Sequence, residues 1–323
     1  MRLLPIAFAA LLSVTSFDAT SQAPSPSRPI TLINPSAAGG TNEIMKAVVF
    51  DRLAVALGVP IVMESRGGGG AGGTIGAAIA AQAAPDGYTL LLAGASVLST
   101  NPATHKALAY DPVRDFTPIV MLTDAKMGLV VTKSVQANNA REFVAEARAR
   151  AGKFDYGSYG QGTTSFFAFE TFKTIADVDA VHVPYRGGGP LLVAMLGGQV
   201  QASMDYVAAV RSYHQAGTLR VLGIAAPQRS AVLPDVPTLT EQGFPVVANG
   251  VQVLIAPAGL PPEIADRLNL EVNKILALPE VRQRFADIGY EVRGGTRAQA
   301  AAHVVTELAK LKALVEKLGL ELQ

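Results

Sequence analysis

From residue 30 onwards the apolar positions fall into two alternating patterns. Ile30–Asn34, Ile61–Glu64 and Tyr88–Ala93 are short, nearly continuous apolar runs, which predict buried strands. Between the first two, Ile44, Val48, Val49, Leu53, Ala56 and Leu57 recur at helical spacing behind Thr41-Asn42-Glu43. Thr74–Ala83 predicts a shorter, alanine-rich helix. Strand and helix in alternation imply a parallel sheet with helices on both faces. Each strand runs into a turn of small residues: Pro35–Gly40, Arg66–Gly73 and Gly94–Ser96. Turns that follow parallel strands lie at one edge of the sheet, the edge at which open α/β sheets bind ligands.

The same grammar returns further along, without a repeat of sequence. Met127–Thr132 predicts a strand and Arg141–Ala151 a helix. Tyr156–Ser165 is rich in Gly, Ser and Thr and opens a helix through Lys173. Val181–Tyr185, Val200–Met204 and Leu219–Ala225 predict strands, with a helix over Pro190–Leu196 stopped by Gly197-Gly198. Val251–Ala256 would return the chain to the first half. Ile264, Leu268, Val272 and Ile275 mark one amphipathic helix; Val304, Leu308, Leu311, Val315 and Leu318 mark another. That last stripe is too short for a coiled coil and predicts a helix docked on a sheet.

The N-terminus has a different pattern. Arg2 precedes an apolar run, Leu3–Val14, too short to span a bilayer. Ala19-Thr20-Ser21 and a Pro/Ser stretch, Ala23–Ser27, follow. This is the layout of a secretory signal peptide cleaved after Ser21, which predicts a soluble, exported mature protein. The totals then remove several function classes. Lys+Arg is 27 and Asp+Glu 26 in 323 residues, with no basic block to hold nucleic acid. There is no cysteine, and His105, His182, His214 and His303 are scattered, which argues against a metal centre.

The glycine turns carry the remaining chemistry. Gly68-x-Gly70-x-x-Gly73 matches the dinucleotide fingerprint, but in so glycine-rich a run the match is nearly forced. The next strand ends Ala93-Gly94-Ala95, where that fingerprint expects an acidic residue. No cofactor is expected. What survives is an array of backbone N–H groups at helix starts, a surface that attracts anions. Such surfaces are expected at Ala38–Asn42, Gly69–Thr74 and Gly160–Ser165, the last with hydroxyls on Thr163, Thr164 and Ser165. Each alone reads equally well as a tight turn with an N-cap; three converging on one cleft point to a ligand. Tyr156-Gly157-Ser158-Tyr159-Gly160 lacks the first glycine of a nucleophile elbow, and His182 reads as a packed residue, so catalysis has little support. Asp205, at a strand end, reads either as an acceptor for a ligand proton or as a cap.

Taken in order, these residues resemble the Bug family, the periplasmic substrate-binding proteins of tripartite tricarboxylate transporters. The resemblance rests on Ala38-Gly39-Gly40, Glu64-Ser65-Arg66, Pro85-Asp86-Gly87-Tyr88, Asn101-Pro102, Tyr110-Asp111-Pro112 with Asp115-Phe116, and Tyr156-Gly157-Ser158. It continues through His182-Val183-Pro184-Tyr185-Arg186-Gly187, Leu196-Gly197-Gly198-Gln199, Leu233-Pro234-Asp235-Val236-Pro237 and Ala256-Pro257-Ala258-Gly259. It implies a two-lobed α/β periplasmic binding protein of the type II, Venus-flytrap kind, each lobe a mainly parallel sheet flanked by helices. With the leader at 1–21 and a linker at 22–28, lobe 1 would comprise 29–127 and 253–323, and lobe 2 would comprise 128–252. The ligand implied is a small organic carboxylate: a di- or tricarboxylate, an amino acid or an aromatic acid. Its contacts would be Ser36, Ala38, Gly39, Gly40 and Ser96 from lobe 1, and Thr163, Thr164 and Asp205 from lobe 2. The implied partner is a membrane permease or, alternatively, a sensor kinase; an exported hydrolase is the less favoured reading, and a monomer is expected. The chain departs from the family pattern at Glu43, near Lys46, at Phe166 followed by Phe167, and in having no tryptophan.

Overall fold

The computed structural model describes residues 26–36, 41–67, 73–150 and 154–320. The expected leader and its cleavage site, together with Ala38, Gly39 and Gly40, lie outside these residues. Strands β1 (Ile30–Asn34), β2 (Ile61–Ser65) and β3 (Thr89–Ala93) pair in parallel, as the apolar runs predict. Helix α1 (Thr41–Met45) continues through a π turn, Lys46–Phe50, into α2 (Asp51–Leu57), and α3 (Thr74–Ala81) follows β2. A second π turn, Ser96–Thr100, and the short α4 (Asn101–Thr104) lead from β3 to β4 (Phe116–Thr132).

Beyond β4 the same order recurs. It comprises α5 (Ala140–Ala149), β5 (Asp155–Ser158), α6 (Thr164–Ala176), β6 (Val181–Pro184), α7 (Gly188–Leu196), β7 (Ala202–Tyr206), α8 (Val207–Gln215) and β8 (Leu219–Ile224). The chain returns through β9 (Asn249–Pro257) and closes with α9 (Pro262–Ala277), α10 (Pro279–Asp287), β10 (Glu291–Gly294) and α11 (Arg297–Lys317). The amphipathic stripes locate α9 and α11; α10 and β10 carry no comparable pattern.

The strands form two sheets that share β4. In the first, β4 pairs with β9 and β10 over Phe116–Lys126; in the second, it pairs with β7 and β8 from Met127 onwards. The two strand orders correspond: β2-β1-β3-β9-β4 and β6-β5-β7-β4-β8. In each, the fourth strand comes from the other half of the chain and runs antiparallel to its neighbours. The repeated strand-turn-helix grammar is therefore a repeat of topology. β4 is 17 residues long, where the apolar run predicts only Met127–Thr132. Its first half contains Thr117, Pro118, Thr123, Asp124 and Lys126, which break the apolar pattern. At Pro118 the register with β9 slips, which accommodates a residue with no N–H to give to the ladder.

Each sheet is covered on both faces. Leu32, Phe50, Leu92, Leu254 and Leu268 fill one face of the first sheet, and Ile33, Val97, Val253 and Val304 fill the other. In the second half, Phe143, Phe154, Tyr156, Phe169 and Phe172 form an aromatic core under α5 and α6. Val130, Leu191, Val207 and Val221 form the opposite face, under α7 and α8. Phe166 and Phe167 both belong to the aromatic core, 5% and 4% exposed. Gly157, inside β5, shows how tight this half is. A Cβ there would lie 2.2 Å from Leu191 Cδ1 and 3.1 Å from Val200 Cγ2. Leu191 is fully buried and has little room to yield, so Gly157→Ala is expected to cost about 1–3 kcal/mol despite alanine's neutral backbone demands in a strand. Urea unfolding of the two proteins measures it.

Many of the motifs behind the family resemblance have structural roles here. Asp111 accepts the N–H groups of Val113 and Arg114, and Asp115 accepts that of Asp111. Asp86 accepts the N–H of Tyr88 across Gly87, whose φ is 84°.

Candidate functional site

Register locates the site. Ala93, the last residue of β3, pairs with Val253 of β9, which in turn pairs with Met121 of β4. Tyr206, the last residue of β7, pairs with Met127 of β4. The parallel strands of both sheets therefore run towards one stretch of β4, residues 121–127, about 20 Å long at the rise of a strand. Their carboxyl ends, and the helix starts that follow them, flank this crossover from both sides.

On the side of the first sheet, Asn34 ties the strand ends together. It is fully buried; its Oδ1 accepts from the Ser36 N–H and from Asn42 Nδ2, while its own Nδ2 donates to Ser65 Oγ. Gly73, at φ 89°, lets the chain pass between Pro35 and Val97, each within 3.1 Å of where a Cβ would sit. The described residues that follow β1, β2 and β3, at Pro35, Gly73 and Val97, thus pack into one group. Ser36 and Ser96 are exposed members of it.

The second sheet brings Thr163, Thr164 and Asp205 to the opposite flank, though the hydroxyls are already engaged. Thr163 Oγ1 donates to the Gly160 carbonyl at 2.7 Å and caps α6 by accepting from Phe166 N–H at 3.4 Å. Ser165 Oγ donates to the Met204 carbonyl, and Thr164 bonds the Tyr206 hydroxyl. For Thr163 the N-cap reading is therefore the one the geometry favours, while Thr164 and Ser165 hold neighbouring elements together. What α6 offers a ligand is the N–H groups of Thr164 and Ser165, which have no acceptor within the helix, the Phe166 N–H being capped by Thr163. His182 donates to or accepts from Ser158 Oγ at 2.7 Å and stacks on Tyr156, as a packed residue does.

Asp205 is 2% exposed. One oxygen, Oδ1, accepts both the Tyr159 hydroxyl and, at 2.7 Å, the Tyr206 N–H. Oδ2 is left for another partner. Burial pushes the carboxyl up to about 6 against the bonds from Tyr159 and Tyr206, and burial beside Asp205 pushes the Tyr159 phenol well up. Asp205 lines a cavity of about 350 Å³ together with Tyr159, Tyr206, Gly188, Gly189 and Leu192. Gly188 and Gly189, the first residues of α7, present further N–H groups beside it, while Gly187 N–H donates to the Tyr159 carbonyl. Sequence reasoning starts this helix at Pro190 and so misses them; the glycines themselves were the available signal.

Gln252 and Thr123 are also new. They pair across β9 and β4 at the crossover, and Gln252 Oε1 and Thr123 Oγ1 are buried without a hydrogen bond to any described residue. The Gln252 amide lies over Gly94, 3.2 Å from where a Cβ would sit. Nothing in the apolar pattern of β9 distinguishes Gln252 from a solvent-facing residue.

The raised Asp205 pKa fixes a sign for stability. The folded protein holds this proton to about pH 6, whereas an unfolded aspartate releases it near 3.8. Its contribution is present below pH 3.8 and lost as pH rises through 6, roughly 3 kcal/mol in all. Asp205→Asn keeps the acceptor for Tyr159 and Tyr206 and has no proton to lose. The variant is expected to gain on the wild type between pH 4 and 6, read from thermal melts across that range.

Comparison with known proteins decides the family. The family model described as "Tripartite tricarboxylate transporter family receptor" matches residues 45–320. The chain belongs to that family. BugT of Bordetella pertussis is 32% identical over 92% of this chain and 91% of its own. Two solved relatives align over nearly their whole length. One is an R. palustris protein with adipate: TM-score 0.78, 30% identity, 91% of this chain and 98% of that one. The other is MatC from Rhodopseudomonas palustris with bound malate: TM-score 0.74, 31% identity, 90% and 99%. The tripartite tricarboxylate receptor family consists of periplasmic solute-binding proteins, which are not enzymes, and this chain is a solute-binding protein with their fold. Among its described residues no helix is long and apolar enough to cross a membrane.

Proposed function

We propose that this protein captures a small organic carboxylate at the β4 crossover and delivers it to a tripartite tricarboxylate permease in the periplasm. The observation that carries the reading is the convergence of strand ends and helix starts from both sheets on residues 121–127 of β4, with Asp205 lining a cavity on one flank. A carboxylate there is met by N–H groups of α6 and α7 and, across the crossover, by the turns carrying Ser36 and Ser96. Several N–H donors share one charge, so no lysine or arginine clamp is required. Relatives crystallised with adipate and with malate support the ligand class. Asp205 Oδ2 and Gln252 would then read the rest of the ligand.

The two sheets are proposed to be the lobes, 29–127 with 253–323 and 128–252, closing about β4 and β9. β4 passes from the first sheet to the second between Lys126 and Met127, and β9 begins opposite Lys126, which supports a division at this crossover. Export after cleavage at Ser21 belongs to the same reading. Titration calorimetry of residues 22–323 with adipate and malate tests it. Saturable one-to-one binding is expected; no heat from either acid, or from succinate and benzoate, would remove the carboxylate reading.

A further inference from the structure

Helix α11 does not belong to one sheet alone. Ala300 and Val304 pack in the first half, whereas Leu308, Leu311, Leu314 and Val315 pack on the aromatic core of the second. Beneath it lies a second cavity, of about 500 Å³, within the usual range for small-molecule sites. Its walls are Leu98 from the π turn after β3, Phe167 from α6, Val251 from β9, and Val304, Leu311 and Leu314 from α11. It lies on the face of the sheets opposite to Gln252 and to the cavity at Asp205, and shares no lining residue with that cavity. Of the candidate carboxylate contacts it includes Thr164.

The shape and charge of this cavity are specific. It follows α11 from His303 to Lys317, about 21 Å at the rise of a helix, so it is a trough rather than a cup. Its walls are apolar, while its rim carries Lys310, Lys317 and His303 against one acid, Glu307, which pairs with Lys310 at 2.8 Å. An elongated apolar body with one negative end complements such a trough; a dicarboxylate, polar at both ends, does not. We propose that the trough beneath α11 is a second ligand site, separate from the carboxylate site, for a single-chain amphipathic acid of the medium-chain fatty acid kind. Both halves of the chain line it, so an occupant bridges them.

Decanoate is the probe, titrated below its micellar range into the wild type and into variants. Ala313 and Val247 line the trough from exposed positions, so A313W and V247W block it without opening the core. One decanoate per chain is expected, weakened at least tenfold in A313W and V247W. A several-fold loss is expected in K310Q/K317Q, with 1-decanol binding the wild type no better than decanoate binds that variant. Asp205→Asn should bind decanoate as the wild type does. Absence of saturable binding, binding unaffected by both tryptophans, or loss in Asp205→Asn but not in A313W would overturn the proposal. The last result would place the acid in the carboxylate cleft.

Discussion

Asp205→Asn is expected to weaken binding of malate by about 10- to 100-fold while leaving adipate within a few-fold of wild type. The reason is the division of labour between the two carboxylate oxygens. Oδ1 is engaged by Tyr159 and Tyr206, and asparagine can supply an oxygen in its place. Only Oδ2 changes, from an acceptor to an N–H donor. A hydroxyl group of the ligand loses its acceptor in the variant, a loss of about 1.5–3 kcal/mol for a hydrogen bond to a charged group. Adipate has no such hydroxyl to lose. The pH dependence separates the two acids. With the carboxyl at about 6, the wild type presents a charged Asp205 at neutral pH and a neutral one in mild acid. Binding of adipate should therefore strengthen as pH falls through 6 in the wild type and stay level in Asp205→Asn, until the ligand itself takes up protons, whereas malate loses the charged acceptor for its hydroxyl over the same range and its preference for the wild type shrinks. Calorimetric titrations of both acids at pH 5.5 and 7.5 make the comparison. Equal losses for malate and adipate would show that Asp205 supports the site without reading the ligand.

The largest effect on stability is expected from Phe169→Ala, a loss of about 3–5 kcal/mol. Phe169 is fully buried and lies parallel to Tyr156 with ring centroids 3.9 Å apart, edge-on to Phe172. Tyr156 in turn donates to Glu170 at 2.5 Å, one residue along α6, and stacks on His182. Removing the Phe169 ring empties the centre of this stack and withdraws support from the helix whose first turn faces the cleft. The expectation is a lower midpoint in urea unfolding together with weaker ligand binding. Phe→Leu at the same position, which keeps most of the volume, should recover more than half of the stability. A loss below 1 kcal/mol in the alanine variant would mean that the aromatic core repacks freely.

How far this site could be read from sequence depends on the kind of interaction involved. Period and glycine placement gave β1, β2, β3, α6 and the carboxyl edge directly, because burial on two faces and left-handed turns leave a mark on residue type. β4 was legible only in its second half. Thr123, Asp124 and Lys126 are polar yet buried, and their partners, Asn249 with Arg293 for Asp124 and Glu291 for Lys126, lie more than a hundred residues away. No local pattern encodes such pairings. Asp205 stands out because strand ends of open α/β sheets carry ligand sites, whereas Tyr159, the residue that donates to it, reads only as part of a glycine loop. Thr163 shows the opposite limit. A threonine before a helix serves equally as a cap and as a ligand donor, and only the positions of Gly160 and Phe166 decide between them. Gln252 follows the same rule, since its meaning comes from Gly94 and Thr123 across the sheet.

The central claim is that backbone N–H groups on both flanks of the β4 crossover hold an organic carboxylate. It is tested most directly by purifying the protein from its native host, denaturing it, and identifying by mass spectrometry what is released. The account predicts a small molecule bearing at least one carboxylate, in near one-to-one amount with the chain. Stoichiometric release of a cation, or of a neutral sugar with no acidic group, would contradict it.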